Sequence, residues 1–117
     1  MNPETAHQRR ILLALSRGDV RLFRNNVGVA TFEGGERVAY GLCPGSSDLI
    51  GWRSVLVTPE MVGRRLAVFV AVEAKTESGR LTGRQRNFLE AVQRAGGIAG
   101  VSRTVDEATA ILAGARG

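Results

Sequence analysis

The chain has 117 residues, and its 16 basic against 11 acidic residues give it a formal net charge of +5 at pH 7. Its longest apolar run is the seven residues 66–72, far below the roughly 18 that a membrane-spanning helix needs, which excludes a transmembrane protein. The single cysteine, Cys43, excludes an internal disulfide, and we expect it to be a small buried residue in a reducing compartment.

A chain of this length with 44% hydrophobic residues is expected to form one domain over residues 1–117, with a modest core. The N-terminus, from Met1 to Glu4, lacks the basic and apolar regions of a signal peptide. We therefore expect a cytoplasmic protein without a membrane partner. The positive net charge favours a polyanionic partner through counterion release.

Pro3 and Glu4 open a helix that is expected to end near Gly18. Glu4 and Gln8 share one face of this helix with apolar residues at three- and four-residue spacing. A carboxylate on an inward face is costly unless it meets a cation or a metal. The alternative is that Glu4 is a solvated first-turn residue favoured by the helix dipole.

The next part of the chain has the patterns of short strands. Residues 20–24 alternate weakly and predict a strand, and residues 29–32 and 37–40 predict a hairpin. Residues 41–47 form a loop of glycine, proline and serine type. Asp48 then stands at the start of an apolar strand.

Residues 66–74 give the strongest strand signal, and so little alternation predicts a central strand that is buried on both faces. Thr82 and Gln85 have the spacing of a helix capping box, and the helix that they begin is expected to stop at Gly96 and Gly97. Thr104 begins a second capping box before the last helix. A short strand at residues 98–102 lies between these helices. The order of elements predicts an α/β fold with a mixed central β-sheet flanked by helices.

Lys75 is the only lysine, and the other fifteen of the 16 basic residues are arginine. It lies two residues after Glu73, so both side chains point to one face of the predicted strand, and Asp48 could converge on them from a neighbouring strand. Two carboxylates and a lysine are suited to phosphodiester hydrolysis assisted by Mg²⁺ or Mn²⁺. The alternative is an edge-of-strand ion pair between Glu73 and a neighbour.

Several short motifs follow one another along the chain: Glu4 with Gln8, Arg24 to Gly28, Gly45 to Gly51, Phe69 to Lys75, Leu81 to Gln85 and Ala95 to Gly97. This series resembles the VRR-NUC domain, the virus-type replication-repair nuclease branch of the PD-(D/E)XK superfamily, and most of all its stand-alone phage and bacterial members. The resemblance covers about residues 4–112 and implies a restriction-endonuclease-like core. One departure is Ser47, where the family often has a proline before the aspartate.

The resemblance implies an active site with Mg²⁺ or Mn²⁺ as the cofactor. The implied metal ligands are Asp48, Glu73, the carbonyl of Ala74, and Glu4 directly or through water. Lys75 would be the catalytic lysine, and Gln85 would approach the site from the helix that follows. For Gln85 the alternative is a purely capping role at the start of that helix.

Two polar groups are candidate DNA contacts by the same resemblance and by charge. Arg24, Asn25 and Asn26 match a polar segment near the site, although a structural turn at the two asparagines is an alternative. The second group is a set of arginines at the start of a helix: Arg80, Arg84 and Arg86. Backbone N–H groups at a helix start and guanidinium forks favour phosphate binding. The alternative is that these arginines form a solvated basic face.

The leading hypothesis is a metal-dependent DNA endonuclease. The resemblance implies selectivity for branched or Holliday-junction-like DNA in phage or bacterial replication, recombination or repair, and a homodimer whose paired sites cut two strands. One alternative is a catalytically inactive DNA-binding module of the same fold. Another is a sequence-specific restriction-type nuclease, although little of the chain is spare for a base-reading element.

Overall fold

The structure is a computed structural model that describes residues 2–114. It divides into two compact units, Met1–Val55 and Leu56–Gly117. The N-terminal unit contains α1 (Pro3–Leu15), β1 (Val20–Arg24), β2 (Gly28–Thr31), β3 (Arg37–Tyr40) and β4 (Leu49–Arg53). The C-terminal unit contains a short 3₁₀ helix (Pro59–Met61), β5 (Val70–Ala74), α2 (Gly83–Arg94), β6 (Ile98–Ser102) and α3 (Val105–Leu112). Among the described helices, none has the length and apolar character needed to cross a membrane.

The first helix begins where the sequence predicts. The side chain of Asn2 caps α1 by accepting a 2.7 Å hydrogen bond from the N–H of Thr5. Pro3 occupies the start of the helix, where its missing N–H costs no hydrogen bond. The helix ends at Leu15, three residues before the predicted stop at Gly18.

The strands of the N-terminal unit pair in two antiparallel sheets. β1 pairs with β4, and Arg24 stands opposite Leu49 at one end of the ladder. β2 and β3 form the predicted hairpin. Cys43 lies in the loop before β4 and is exposed, so the expectation of a buried thiol is wrong. The reason is that the loop contains glycine and proline and, like most loops, runs over the protein surface.

The C-terminal unit is built on a β5–α2–β6 crossover, with β5 and β6 parallel. Gly96 ends α2 with φ at 100°, a conformation that residues with a Cβ rarely adopt. Its N–H bonds the carbonyl of Gln93 at 3.0 Å, and the next N–H, of Gly97, bonds the carbonyl of Val92 at 2.9 Å. This pair of bonds is a Schellman motif, so the predicted glycine stop is confirmed.

The buried apolar side chains of the described residues are Leu89 and Val92, both on α2. They lie on the face of this helix that packs against β5 and β6. The helix therefore holds the crossover together and fixes the position of its own N-terminus, where Gln85 stands, relative to the end of β5.

The α/β fold class is confirmed, with antiparallel and parallel pairing both present, and the strands stand as three two-stranded sheets. The strand predicted at residues 66–74 is shorter and begins at Val70. Its burial on both faces is wrong, because Val70 and Val72 are exposed while Ala71 and Glu73 are half-buried. Side chains alternate along a strand, and a run of apolar residue types does not by itself cover the second face.

Candidate active site

Glu73 and Lys75 lie together at the carboxyl end of β5. Their spacing of two residues places both side chains on the half-buried face of the strand, as predicted. The Nζ of Lys75 is 3.7 Å from Oε2 of Glu73, and the two side chains are 18% and 31% exposed respectively. The predicted proximity is confirmed, and both groups remain within reach of a ligand.

Gln85 joins this pair from the first turn of α2. Its Oε1 accepts a hydrogen bond from the N–H of Thr82 at 3.0 Å, and its own N–H bonds Oγ1 of Thr82 at 3.1 Å, which completes the predicted capping box. Its Nε2 donates to Oε2 of Glu73 at 3.0 Å. A capping role and an approach to the site were predicted as alternatives, and one amide both caps the helix and contacts Glu73 because it has an acceptor at one end and a donor at the other.

The carbonyl of Ala74 lies on the edge of β5 that faces away from β6. Phe69 accepts a backbone hydrogen bond from Ile98, and Lys75 donates one to Ser102, so the odd-numbered residues face β6. Backbone groups alternate along a strand, and the Ala74 carbonyl therefore points to the other side. Its oxygen points away from the β5–β6 ladder, and its role as a metal ligand stays a prediction.

The basic residues of the C-terminal unit include one that the sequence analysis missed. Arg80, Arg84 and Arg86 are exposed around the start of α2. Arg103, just after β6, donates from Nη1 to the carbonyl of Thr76 at 2.7 Å and so ties down the turn that follows Lys75. The position of Arg103 at the end of a strand was a usable signal in the sequence, because parallel strands bring their carboxyl ends to one edge of the sheet.

Thr104 caps α3, but the second capping box is only half confirmed. Its Oγ1 accepts from the N–H of Glu107 at 3.1 Å. The Glu107 side chain accepts instead from the N–H of Arg103 at 2.6 Å. The cap at Thr104 therefore involves none of the side chains of Glu73, Lys75 and Gln85.

In the N-terminal unit, Asp48 is exposed and directly precedes β4. Its carbonyl accepts a 2.8 Å hydrogen bond from the N–H of Asn25, which extends the β1–β4 ladder by one residue. The Asn25 side chain accepts from the N–H of Leu42 at 2.9 Å and donates to Oγ of Ser46 at 2.7 Å and to the carbonyl of Ser47 at 2.9 Å. One amide thus holds the loop that leads into Asp48.

The other N-terminal candidates are exposed. Glu4 stands in the first turn of α1, where a carboxylate is favoured by the helix dipole. Nη2 of Arg24 donates to Oδ1 of Asn26 at 3.2 Å. Their roles as metal ligand and DNA contacts stay predictions.

The donors around Glu73 suit a hard divalent cation. A carboxylate and a main-chain carbonyl are oxygen ligands of the type that Mg²⁺ and Mn²⁺ prefer. Within residues 2–114, no three histidine, cysteine, aspartate or glutamate side chains gather into a ready-made metal cluster. A metal at this place would therefore be held by few carboxylates, with waters completing its coordination, as is usual for Mg²⁺.

A family model described as the VRR-NUC domain matches residues 35–106, which is more than half of the 117-residue chain. The chain belongs to the VRR-NUC family. VRR-NUC domains are nucleases of the PD-(D/E)XK type with a restriction-endonuclease-like fold, so the predicted family and fold are confirmed. The matched range contains Asp48, Glu73, Lys75 and Gln85, and it leaves Glu4 outside.

Comparison with curated proteins and comparison with solved structures gave no match. The VRR-NUC assignment therefore rests on the family match and on the cluster at the end of β5. Glu73, Ala74 and Lys75 have the form of a (D/E)XK triplet, and their catalytic roles stay predictions.

Proposed function

We propose that this VRR-NUC protein is a metal-dependent DNA endonuclease that hydrolyses phosphodiester bonds. The observation that carries the proposal is the convergence of Glu73, Lys75 and Gln85 at the end of β5. Hydrolysis breaks one P–O bond, places the hydroxyl of a water on phosphorus and returns a proton to the leaving oxygen. A carboxylate, an ammonium and an amide in contact are suited to orienting that water and offsetting the charge that develops.

The proposed cofactor is Mg²⁺ or Mn²⁺. It would be held by Glu73 and the Ala74 carbonyl, and by Asp48 and Glu4 as the family resemblance implies. A bound divalent ion lowers the pKa of a coordinated water and neutralises charge on the scissile phosphate. The oxygen-only donor set is the support for this proposal.

Lys75 is proposed to act on the attacking water or on the phosphate. Its ammonium is a compact charge with three donors, and it is already ion-paired with Glu73 at 3.7 Å. This pairing keeps the flexible side chain on the face where Glu73 stands. The edge-of-strand ion pair that the sequence left as an alternative is thus compatible with catalysis, since one contact serves to position the lysine.

The finer proposals concern substrate and context. We propose branched or Holliday-junction-like DNA as the substrate, a homodimer as the working form, and the cytoplasm of a bacterial or phage-infected cell as the location. The net charge of +5 supports a nucleic-acid partner. The family match crosses residues 55 and 56, where the two compact units meet in sequence, which supports one nuclease domain over residues 1–117.

The decisive experiment compares wild type with Glu73→Ala and Lys75→Ala on labelled duplex, single-strand, flap and four-way-junction DNA. Reactions contain Mg²⁺, Mn²⁺, Ca²⁺ or a chelator. Glu77→Ala is the matched control, because Glu77 is an exposed acidic residue in the turn after Lys75. We expect wild type and the control to cut only with Mg²⁺ or Mn²⁺, and both site variants to bind DNA while losing most cleavage.

Other results identify the alternatives. Cutting that persists in Glu73→Ala, or in chelator, would show that the proposed site is wrong. A wild-type protein that binds DNA in every metal and never cuts it would be the inactive binding module. Cleavage at one base sequence in plain duplex DNA would indicate a restriction-type nuclease.

A further inference from the structure

Within residues 2–114, both polar contacts that the structure shows for the Glu73 carboxylate go to one of its two oxygens. Oε2 accepts from Nε2 of Gln85 at 3.0 Å and faces Nζ of Lys75 at 3.7 Å. One hydrogen bond and one ion pair at Oε2 favour a single orientation of the carboxyl group, in which Oε1 is left for another ligand. The orientation of Glu73 therefore depends on how firmly Gln85 is held.

Gln85 is held by the capping box at the start of α2. An amide side chain can present either its oxygen or its NH₂ group in a given direction, and only its neighbours decide which. The N–H of Thr82 can only donate, so it selects Oε1 of Gln85 at 3.0 Å. The NH₂ group is then directed to the Glu73 carboxylate, which can only accept.

The hydroxyl of Thr82 completes this arrangement. It accepts the backbone N–H of Gln85 at 3.1 Å, which closes the first turn of α2 and keeps the Thr82 N–H opposite the Gln85 side chain. Thr82 itself is exposed, and its N–H and its hydroxyl both bond Gln85, while its carbonyl accepts the N–H of Arg86 at 3.0 Å. Its side chain thus acts on Glu73 through one intermediate residue.

We propose that Thr82 is a positioning residue for the Glu73 carboxylate: the α2 capping box holds Gln85, and Gln85 holds Oε2 of Glu73, so that Oε1 would be available to a divalent metal. The proposal rests on the proposed nuclease function for the role of Glu73. It assigns the helix cap a second task beyond stability, which is to hold a ligand oxygen in one orientation. The family match alone does not assign any role to Thr82.

The test compares Thr82→Ala, Thr82→Ser and Thr104→Ala in the full chain. Thr104 is the matched control, because it is also an exposed N-cap threonine whose hydroxyl accepts the N–H three residues on, at the start of α3. Both alanine variants lose one cap of similar strength. We expect Thr82→Ala to lower kcat for DNA cleavage in Mn²⁺ about 2- to 30-fold, the range of a helix cap's energy converted to rate. Thr82→Ser should restore the rate, and Thr104→Ala should leave it unchanged.

A second measurement needs neither metal nor cleavage. In the metal-free protein, the side-chain NH₂ signals of Gln85 in a ¹⁵N–¹H spectrum report its hydrogen bond to Glu73. We expect Thr82→Ala to move them towards their positions in Glu73→Ala, and Thr104→Ala to leave them in place. Equal rates for the two alanine variants, or unmoved Gln85 signals in Thr82→Ala, would overturn the proposal. If wild type never cuts DNA, the proposed function fails, whereas the Gln85 signals still decide the positioning role.

Discussion

Nε2 of Gln85 donates a 3.0 Å hydrogen bond to Oε2 of Glu73 across twelve residues of sequence. The same side chain accepts the N–H of Thr82 through its oxygen. A helix cap and a candidate metal ligand therefore share one amide group. This link separates two kinds of substitution at Gln85, those that remove the cap and those that remove only the contact with Glu73.

The substitution Gln85→Glu removes only the hydrogen bond from Gln85 to Glu73 and keeps the helix cap. Glutamate at this position still accepts the Thr82 N–H and is favoured at a helix N-terminus. It cannot donate to Glu73 while ionised, and it places a second negative charge beside it. A hydrogen bond to a charged group contributes about 1.5–3 kcal/mol, so we expect cleavage in Mn²⁺ to fall at least about tenfold. Asn87→Asp, the same amide-to-acid change on the exposed side of α2, is the control and should cut normally. An unchanged rate in Gln85→Glu would show that its hydrogen bond to Glu73 is not used.

Lys75→Arg tests whether charge alone is sufficient. Arginine keeps the positive charge but is a planar fork that is too large for the contact that the Lys75 ammonium makes with Glu73. We expect the variant to bind DNA as wild type does in Ca²⁺ and to lose at least about tenfold in cleavage rate in Mn²⁺, equivalent to about 1.4 kcal/mol in the barrier. The reverse exchange at an exposed site on α2, Arg94→Lys, should change neither quantity. Full activity in Lys75→Arg would exclude a specific role for the ammonium.

Asn25→Ala should destabilise the loop that leads into Asp48. The substitution removes side-chain hydrogen bonds to the Leu42 N–H, to Ser46 Oγ and to the Ser47 carbonyl. We expect the free energy of unfolding in urea to fall by about 1–3 kcal/mol. Asn26→Ala, the neighbouring candidate DNA contact, loses one exposed bond to Arg24 and should cost less than about 0.5 kcal/mol. Equal losses for the two asparagines would contradict the anchoring role of Asn25.

Gly51→Ala should disrupt the β1–β4 pairing beside Asp48. A Cβ at Gly51 would overlap the backbone of Arg21, including its carbonyl oxygen, and backbone cannot move aside as a flexible side chain can. We expect a loss of about 3 kcal/mol in the free energy of unfolding, measured by urea titration. Gly83→Ala is the control, since a Cβ there meets nothing within 4 Å and alanine is the better helix residue. The Gly83→Ala variant should be as stable as wild type or up to about 1 kcal/mol more stable. A Gly51→Ala protein of wild-type stability would contradict the close approach of Gly51 to the backbone of Arg21.

Much of the fold could be predicted from the sequence because its signals are local. The caps at Thr82 and Thr104 and the stop at Gly96 depend on contacts between residues three to five apart, and the structure confirms each of them. The hairpin of β2 and β3 depends on a short turn and is also confirmed. The order of motifs predicted the VRR-NUC family, which the family match confirms.

Exposure and shared contacts could not be predicted in the same way. The largely apolar run at residues 66–74 predicted a strand buried on both faces, yet Val70 and Val72 are exposed, because residue type does not determine which neighbours cover a strand. Arg103 was missed because its bond to Thr76 joins residues 27 apart in sequence, and only the parallel pairing of β5 with β6 brings the two together.

What the sequence determined by itself was the family, the order of elements and the caps of its helices, since these follow from residue type and from hydrogen bonds within a few residues. Only the tertiary structure decided that Gln85 both caps α2 and contacts Glu73, and that Asn25 anchors the loop before Asp48. Each of these side chains has partners 12 or more residues away, and the packing of helices and strands sets those distances. A short-range pattern can indicate that an amide will cap a helix, but only the folded chain determines what its other end will meet.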